Sequence, residues 1–172
     1  REWWAKERER VLAQDIIDMS YYDRVLDPKR DQTNARKALT AYDTLLQRYP
    51  QSRYAAEARN RTRIMRDLLA ANEMVIGRYY LRHNNFLAAI NRFRSVVTDY
   101  QTTEQVEEAL MRLTEAYMAL GIVNEAQTAA AVLGHNFPEG KWYSHAYGLL
   151  GKVGLQPQEH EGSWITETWK SD

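Results

Sequence analysis

A four-residue pattern recurs in one frame and constrains this chain more than any other feature. Gly77, Tyr80, Ala89 and Phe93 stand at offsets of 3, 12 and 16 from the glycine, and Thr114, Tyr117, Ala126 and Ala130 repeat those offsets with two substitutions. Ala38, Tyr42 and Pro50 match the second half: the proline stands 12 residues after the alanine, as Pro138 stands 12 after Ala126. Each residue type has a task. A small residue on a first helix lets an antiparallel partner approach, and a tyrosine three later fills the space beside it. A small residue opens the second helix, an aromatic four later packs on the next unit, and proline ends it because it cannot extend the hydrogen-bond ladder.

That frame is the helix-turn-helix of a tetratricopeptide unit. Ala38 and Ala89 are 51 residues apart and Ala89 and Ala126 are 37 apart, against a usual spacing of about 34. The first excess fits an extended helix, the second the loop at Gln101, Thr102 and Thr103. With 8 Gly, 4 Pro and apolar residues recurring at three and four, the spacing predicts an all-α chain, a stack of antiparallel helix pairs. Breaks are expected at Asp27-Pro28, Tyr49-Pro50, His83 to Asn85, residues 99–103, Gly121, residues 136–140 and Gln156-Pro157. Five segments result: an N-terminal helix and connector over 1–33, the remainder of a truncated repeat; repeats joined by a long helix, itself about 53–82, over 34–101; a last repeat over 102–140; a capping helix over 141–153; and a polar, mobile tail over 154–172. In that tail residues 163–169 can form a short amphipathic helix. Trp4, Arg8, Val11, Leu12, Asp15, Ile16 and Met19 trace a stripe on the first helix.

At 172 residues and 44% apolar content, one core is within reach. Lys plus Arg and Asp plus Glu number 23 each, so the overall attraction that nucleic acid demands is missing. The chain has no cysteine, which excludes thiol nucleophiles and cysteine zinc sites. His83, His135, His145 and His160 lack metal-ligand spacing, and the serines lack a nucleophile-elbow context. No enzyme, metal or cofactor is expected. Arg59, Arg63 and Arg66 share a helix face, read as solvated or salt-bridged, with a docking stripe for an acidic protein surface as the alternative. The first helix of each unit is expected to line a groove, with Met74, Arg78, Leu81 and Arg82 from one unit and Glu108, Met111, Glu115 and Met118 from the next. Packing between units is the competing role for part of that set. Tyr80 is the packing member of its pair, and Tyr79 the exposed one.

The strings from Glu73 to Tyr80, Ala88-Ala89-Ile90-Asn91-Arg92-Phe93 and Ala130 to Pro138, with the Tyr49 to Tyr54 loop and the Asp27 to Asp31 run, resemble the BamD family of lipoproteins of the outer-membrane β-barrel assembly machinery, over about residues 21–150. The resemblance implies a scaffold at the periplasmic face of the outer membrane, held there by an N-terminal lipid anchor. Its implied partners are the periplasmic repeats of BamA, other assembly-machinery lipoproteins and unfolded outer-membrane protein clients, with no nucleic acid. Arg92 is similar to a residue that docks BamA through charge, and Tyr79 to a client-contacting position; Asn91, Arg78 and Arg82 lie beside them. The chain departs from the family in lacking the acylated cysteine and first repeats, and residues 1–19 look unfamiliar, as expected of a C-terminal fragment. The alternative is another tetratricopeptide adaptor, in periplasmic envelope coordination or as a cytoplasmic co-chaperone.

Overall fold

The computed structural model describes residues 2–19 and 32–170. Among them lie eight helices and no strand: α1 (Glu2–Met19), α2 (Thr33–Arg48), α3 (Ala55–Arg82), α4 (Phe86–Asp99), α5 (Val106–Leu120), α6 (Val123–Asn136), α7 (Lys141–Gly151) and α8 (Trp164–Lys170). The predicted helical stack is present, and the expected breaks from Tyr49 onward fall between its helices. The Asp27-Pro28 break lies outside the described residues. The chain forms two compact units, Arg1–Asn72 and Glu73–Asp172.

In the first unit α1 packs on α2. Ala35, Ala38, Tyr42 and Leu45 recur every three or four residues on the buried side of α2, and Ala55, Ala58, Met65 and Leu69 are buried on α3. Of the stripe expected on α1, Trp4 and Val11 are exposed and Leu12 is half-buried, while Ala13 next to it is enclosed; the side chains of Asp15, Ile16 and Met19 lie outside the described ones. Glu9 accepts a hydrogen bond from Ser52, tying the α2–α3 connector to α1. Arg59, Arg63 and Arg66 meet the Pro50 carbonyl, Asn60 and Asp43, which makes theirs a locally paired face.

In the second unit the repeat frame becomes packing. A Cβ on Gly77 would stand 2.5 Å from Cε1 of Phe93, and Phe93 is fully enclosed. Glycine inside a helix costs about 1 kcal/mol against alanine, and the ring that fills the missing side chain's place offsets that. Thr114 occupies the glycine's place in the next unit, fully buried, its hydroxyl donating to the Leu110 carbonyl at 3.0 Å. Ala89, Ala126 and Ala130 have no exposed surface. Gly134 repeats the device between α6 and α7, where a Cβ would collide with the Tyr143 ring.

The helices α3, α5 and α7 end alike. Asn84, Gly121 and Gly154 take left-handed φ values of 57°, 72° and 76°. Behind them the N–H groups of Asn85, Ile122 and Leu155 donate to the carbonyls of Tyr80, Tyr117 and Leu150 at 2.9, 2.9 and 3.0 Å, which is the Schellman closure of a helix. The helix α7, expected as a capping helix over 141–153, closes in this same way at Gly154.

Beyond α7 the polar tail is held against the body, and the short helix expected over residues 163–169 forms as α8. Residues 155–163 run without helix along α6, and α8 then packs on α6 and α4. The Gln127 side chain donates to the Gln156 carbonyl at 3.0 Å, the Gln127 main-chain carbonyl accepts from Gln158 N–H at 3.3 Å, and Thr128 Oγ1 accepts from His160 N–H at 3.0 Å. Ser163 donates to Glu125 at 2.6 Å, and Ile165 is fully buried. Main-chain groups satisfied in this way need no apolar run in the sequence, which is why composition alone reads the segment as loose.

Candidate protein-docking face

The sequence places the free sides of α3 and α5 as a groove wall, and there the charged side chains meet one another. Arg78 donates to Glu108 at 2.7 Å, and Arg112 joins Glu108 at 3.0 Å and Glu115 at 3.1 Å. His145 stands 3.8 Å from Glu115, and the Arg112 guanidinium lies 5.6 Å from the Trp142 ring centre. The two arginines and two glutamates of α3 and α5 cancel in formal charge, so this wall offers shape more than net charge. Arg78, Glu108 and Glu115 are therefore engaged within the chain. Leu81 and Met118 are half-buried, and Arg82 is exposed. Met74 and Met111 are corrected to the core, since neither has exposed surface. Each precedes the seam position, Gly77 or Thr114, by three residues and so shares its inward face.

Arg92 sits differently. One nitrogen, Nη1, lies 3.3 and 3.5 Å from the two carboxylate oxygens of Glu73, whose side chain is only 7% exposed while that of Arg92 is 40% exposed. The rest of the guanidinium has no hydrogen-bond partner among the described residues. Asn91 beside it is exposed. Tyr79 is 51% exposed, against the Tyr80 and His83 rings at centroid distances of 5.7 and 4.1 Å. Tyr80 is half-buried, not fully enclosed. Glu73, Arg112 and Trp142 escape a reading of the sequence alone. The signal for Glu73 is an acid one turn before Gly77, on a face otherwise apolar.

The Trp164 indole N–H donates to the Tyr117 hydroxyl at 2.7 Å, with the Arg94 guanidinium 4.7 Å from the Trp164 ring centre. Burial pushes the Tyr117 hydroxyl above the ordinary tyrosine range. The Trp164 bond and Arg94 pull it back, and Glu125 adds to the rise. No cluster of three or more His, Cys, Asp or Glu side chains suited to a metal ion occurs among the described residues. No helix there is long and apolar enough to cross a membrane.

The sequence model of the outer-membrane lipoprotein family YfiO matches residues 7–133. The chain belongs to that family. It is 46% identical over 137 residues to the outer membrane protein assembly factor BamD of Caulobacter vibrioides, covering 80% of this chain and 45% of that protein. It is 42% identical over 132 residues to the factor of the same name from Rickettsia prowazekii, covering 77% and 53%. With that from Vibrio cholerae, identity is 31% over 117 residues, covering 68% and 46%. The chain thus spans about half the length of the curated relatives it matches. The YfiO match begins inside residues 1–19, the stretch that looks unfamiliar by eye, and stops before α7, short of the residue-150 limit of the resemblance.

Proposed function

We propose that this chain is a non-catalytic docking module of outer-membrane β-barrel assembly, at the periplasmic face of the outer membrane. It binds the periplasmic (POTRA) repeats of BamA and helps receive unfolded outer-membrane proteins, alongside other lipoproteins of the machinery, in a protein held to the membrane by a lipid anchor. The observation that carries this reading is the match to the YfiO family over residues 7–133. Arg92 supports the BamA contact, because a half-exposed guanidinium with unused donors suits an acidic side chain on a partner.

The test is titration calorimetry of the chain against isolated BamA periplasmic repeats, with Arg92→Gln as the variant. Arg92→Glu is the wrong choice here, since it would set two carboxylates side by side at a buried position. The expected result is a saturable complex that Arg92→Gln weakens by about 1–3 kcal/mol, the range for a charged hydrogen bond that is partly desolvated. Absence of any complex would refute the reading.

A further inference from the structure

We infer that Glu73 is a positioning residue for the docking cation: its buried carboxylate holds the Arg92 guanidinium in place so that its remaining donors face an acidic side chain on a partner protein. The inference rests on the proposed role of Arg92 and adds the residue that prepares it.

Three observations combine. Glu73 is almost fully enclosed, and Arg92 is the one side chain among the described residues that meets its carboxylate. An arginine pulled off that carboxylate would leave a buried charge alone, which is strongly unfavourable. The guanidinium therefore stays over Glu73 when a partner arrives, and the partner must come to it. Second, the contact uses Nη1 alone, and guanidinium has five N–H donors in a rigid fork, so Nε and Nη2 are left for a second carboxylate on the solvent side. Third, the two residues sit on different helices, Glu73 on α3 and Arg92 on α4, whose relative placement is fixed by the contact of Phe93 with Gly77. Phe93 follows Arg92 directly, so the packing that defines the repeat also sets the height of the guanidinium above its acid.

The consequence is entropic. A free arginine loses side-chain freedom when a partner immobilises it, whereas one already clamped has little left to lose. Glu73 also carries a negative charge that opposes an acidic partner, so simple removal of the residue mixes two effects. A pair of variants separates them. Glu73→Gln and Glu73→Met remove the same charge and occupy similar volume, but glutamine keeps a carbonyl oxygen that can accept from Nη1 and methionine does not.

The experiment measures the dissociation constants of wild type, Glu73→Gln, Glu73→Met and Arg92→Gln for isolated BamA periplasmic repeats. Unfolding midpoints are recorded in parallel. The expected outcome is that Glu73→Gln binds about 2- to 10-fold more tightly than Glu73→Met, the range expected from ordering one long side chain. A purely structural Glu73 would move the unfolding midpoints and leave those two affinities equal, and equal affinities overturn the inference. If Arg92→Gln binds as wild type does, the docking role of Arg92 fails first and the inference falls with it. If Arg92→Gln weakens binding while the two Glu73 variants agree, only the positioning role is lost.

Discussion

Replacing Gly77 by alanine should destabilise the second unit, although the same change elsewhere in a helix stabilises it. The added Cβ would lie 2.5 Å from Cε1 of Phe93 and 2.9 Å from both Cδ1 and Cζ. Ordinary carbon contacts begin at about 3.5 Å, so the ring must retreat by roughly 1 Å inside a core where it has no exposed edge to move toward. Overpacking of that kind costs about 1–3 kcal/mol. Alanine returns about 1 kcal/mol of helix propensity, leaving a net loss of up to about 2 kcal/mol. Gly148 provides the control, since it is exposed on α7 and a Cβ there meets nothing within 4 Å. Gly148→Ala should therefore gain about 1 kcal/mol. Urea unfolding followed by far-UV circular dichroism measures both, through midpoint shifts at constant slope. In the Gly77→Ala background, Phe93→Leu should cost less than it does alone, a coupling that a double-mutant cycle reads directly. If Gly77→Ala stabilises as much as Gly148→Ala, the close approach that defines the repeat is absent.

Trp164→Phe keeps the ring but removes the donor to Tyr117, and should lower stability by about 1–3 kcal/mol, the cost of leaving a buried hydroxyl short of a partner; thermal melts check it. Because burial raises the Tyr117 pKa above its unfolded value of 10.0, the folded state holds that proton longer than the unfolded chain does. Its stabilising contribution is complete below that value and is lost as pH rises through the folded pKa. Urea midpoints should fall more steeply in alkali for the native chain than for Tyr117→Phe, and parallel curves would count against this. Ile165→Ala should cost about 2–5 kcal/mol of the docking energy of α8, seen as faster amide exchange in α8 with α4 and α5 unchanged. Uniform loosening of all three would show instead that α8 belongs to the core. Glu108→Gln breaks the shared node between Arg78 and Arg112 and should cost about 1 kcal/mol, given that the pairs are partly solvated; a loss beyond twice that would mean the wall is more deeply buried than its exposure indicates.

The backbone plan is legible because its causes are local and periodic. Gly77, Ala89 and Phe93 announce a close helix pair by size and spacing, and the structure meets them as a glycine with a ring in its side chain's place. The second glycine contact, Gly134 with Tyr143, obeys the same physics, but it joins helices across a break and belongs to no repeated frame. The groove is legible only in part. Period alone cannot tell the inward side of a first helix from its outward side when both carry methionine, and so it puts Met74 and Met111 on the wall they lie behind. Charge pairing between helices is hidden for a related reason: Arg78 and Glu108 are 30 residues apart, and nothing in either string names the other. The C-terminal strap is illegible because polar side chains on α6 hold it by its main chain, whose hydrogen bonds have no sequence signature.

Site-specific photo-crosslinking tests the docking claim most directly. A photoreactive residue at Asn91, exposed beside Arg92, is compared with one at Glu159, exposed on the C-terminal strap, each irradiated with isolated BamA periplasmic repeats. The account predicts an adduct from position 91 and none from position 159; an adduct from 159 alone would place the interface at the C-terminal strap and contradict it.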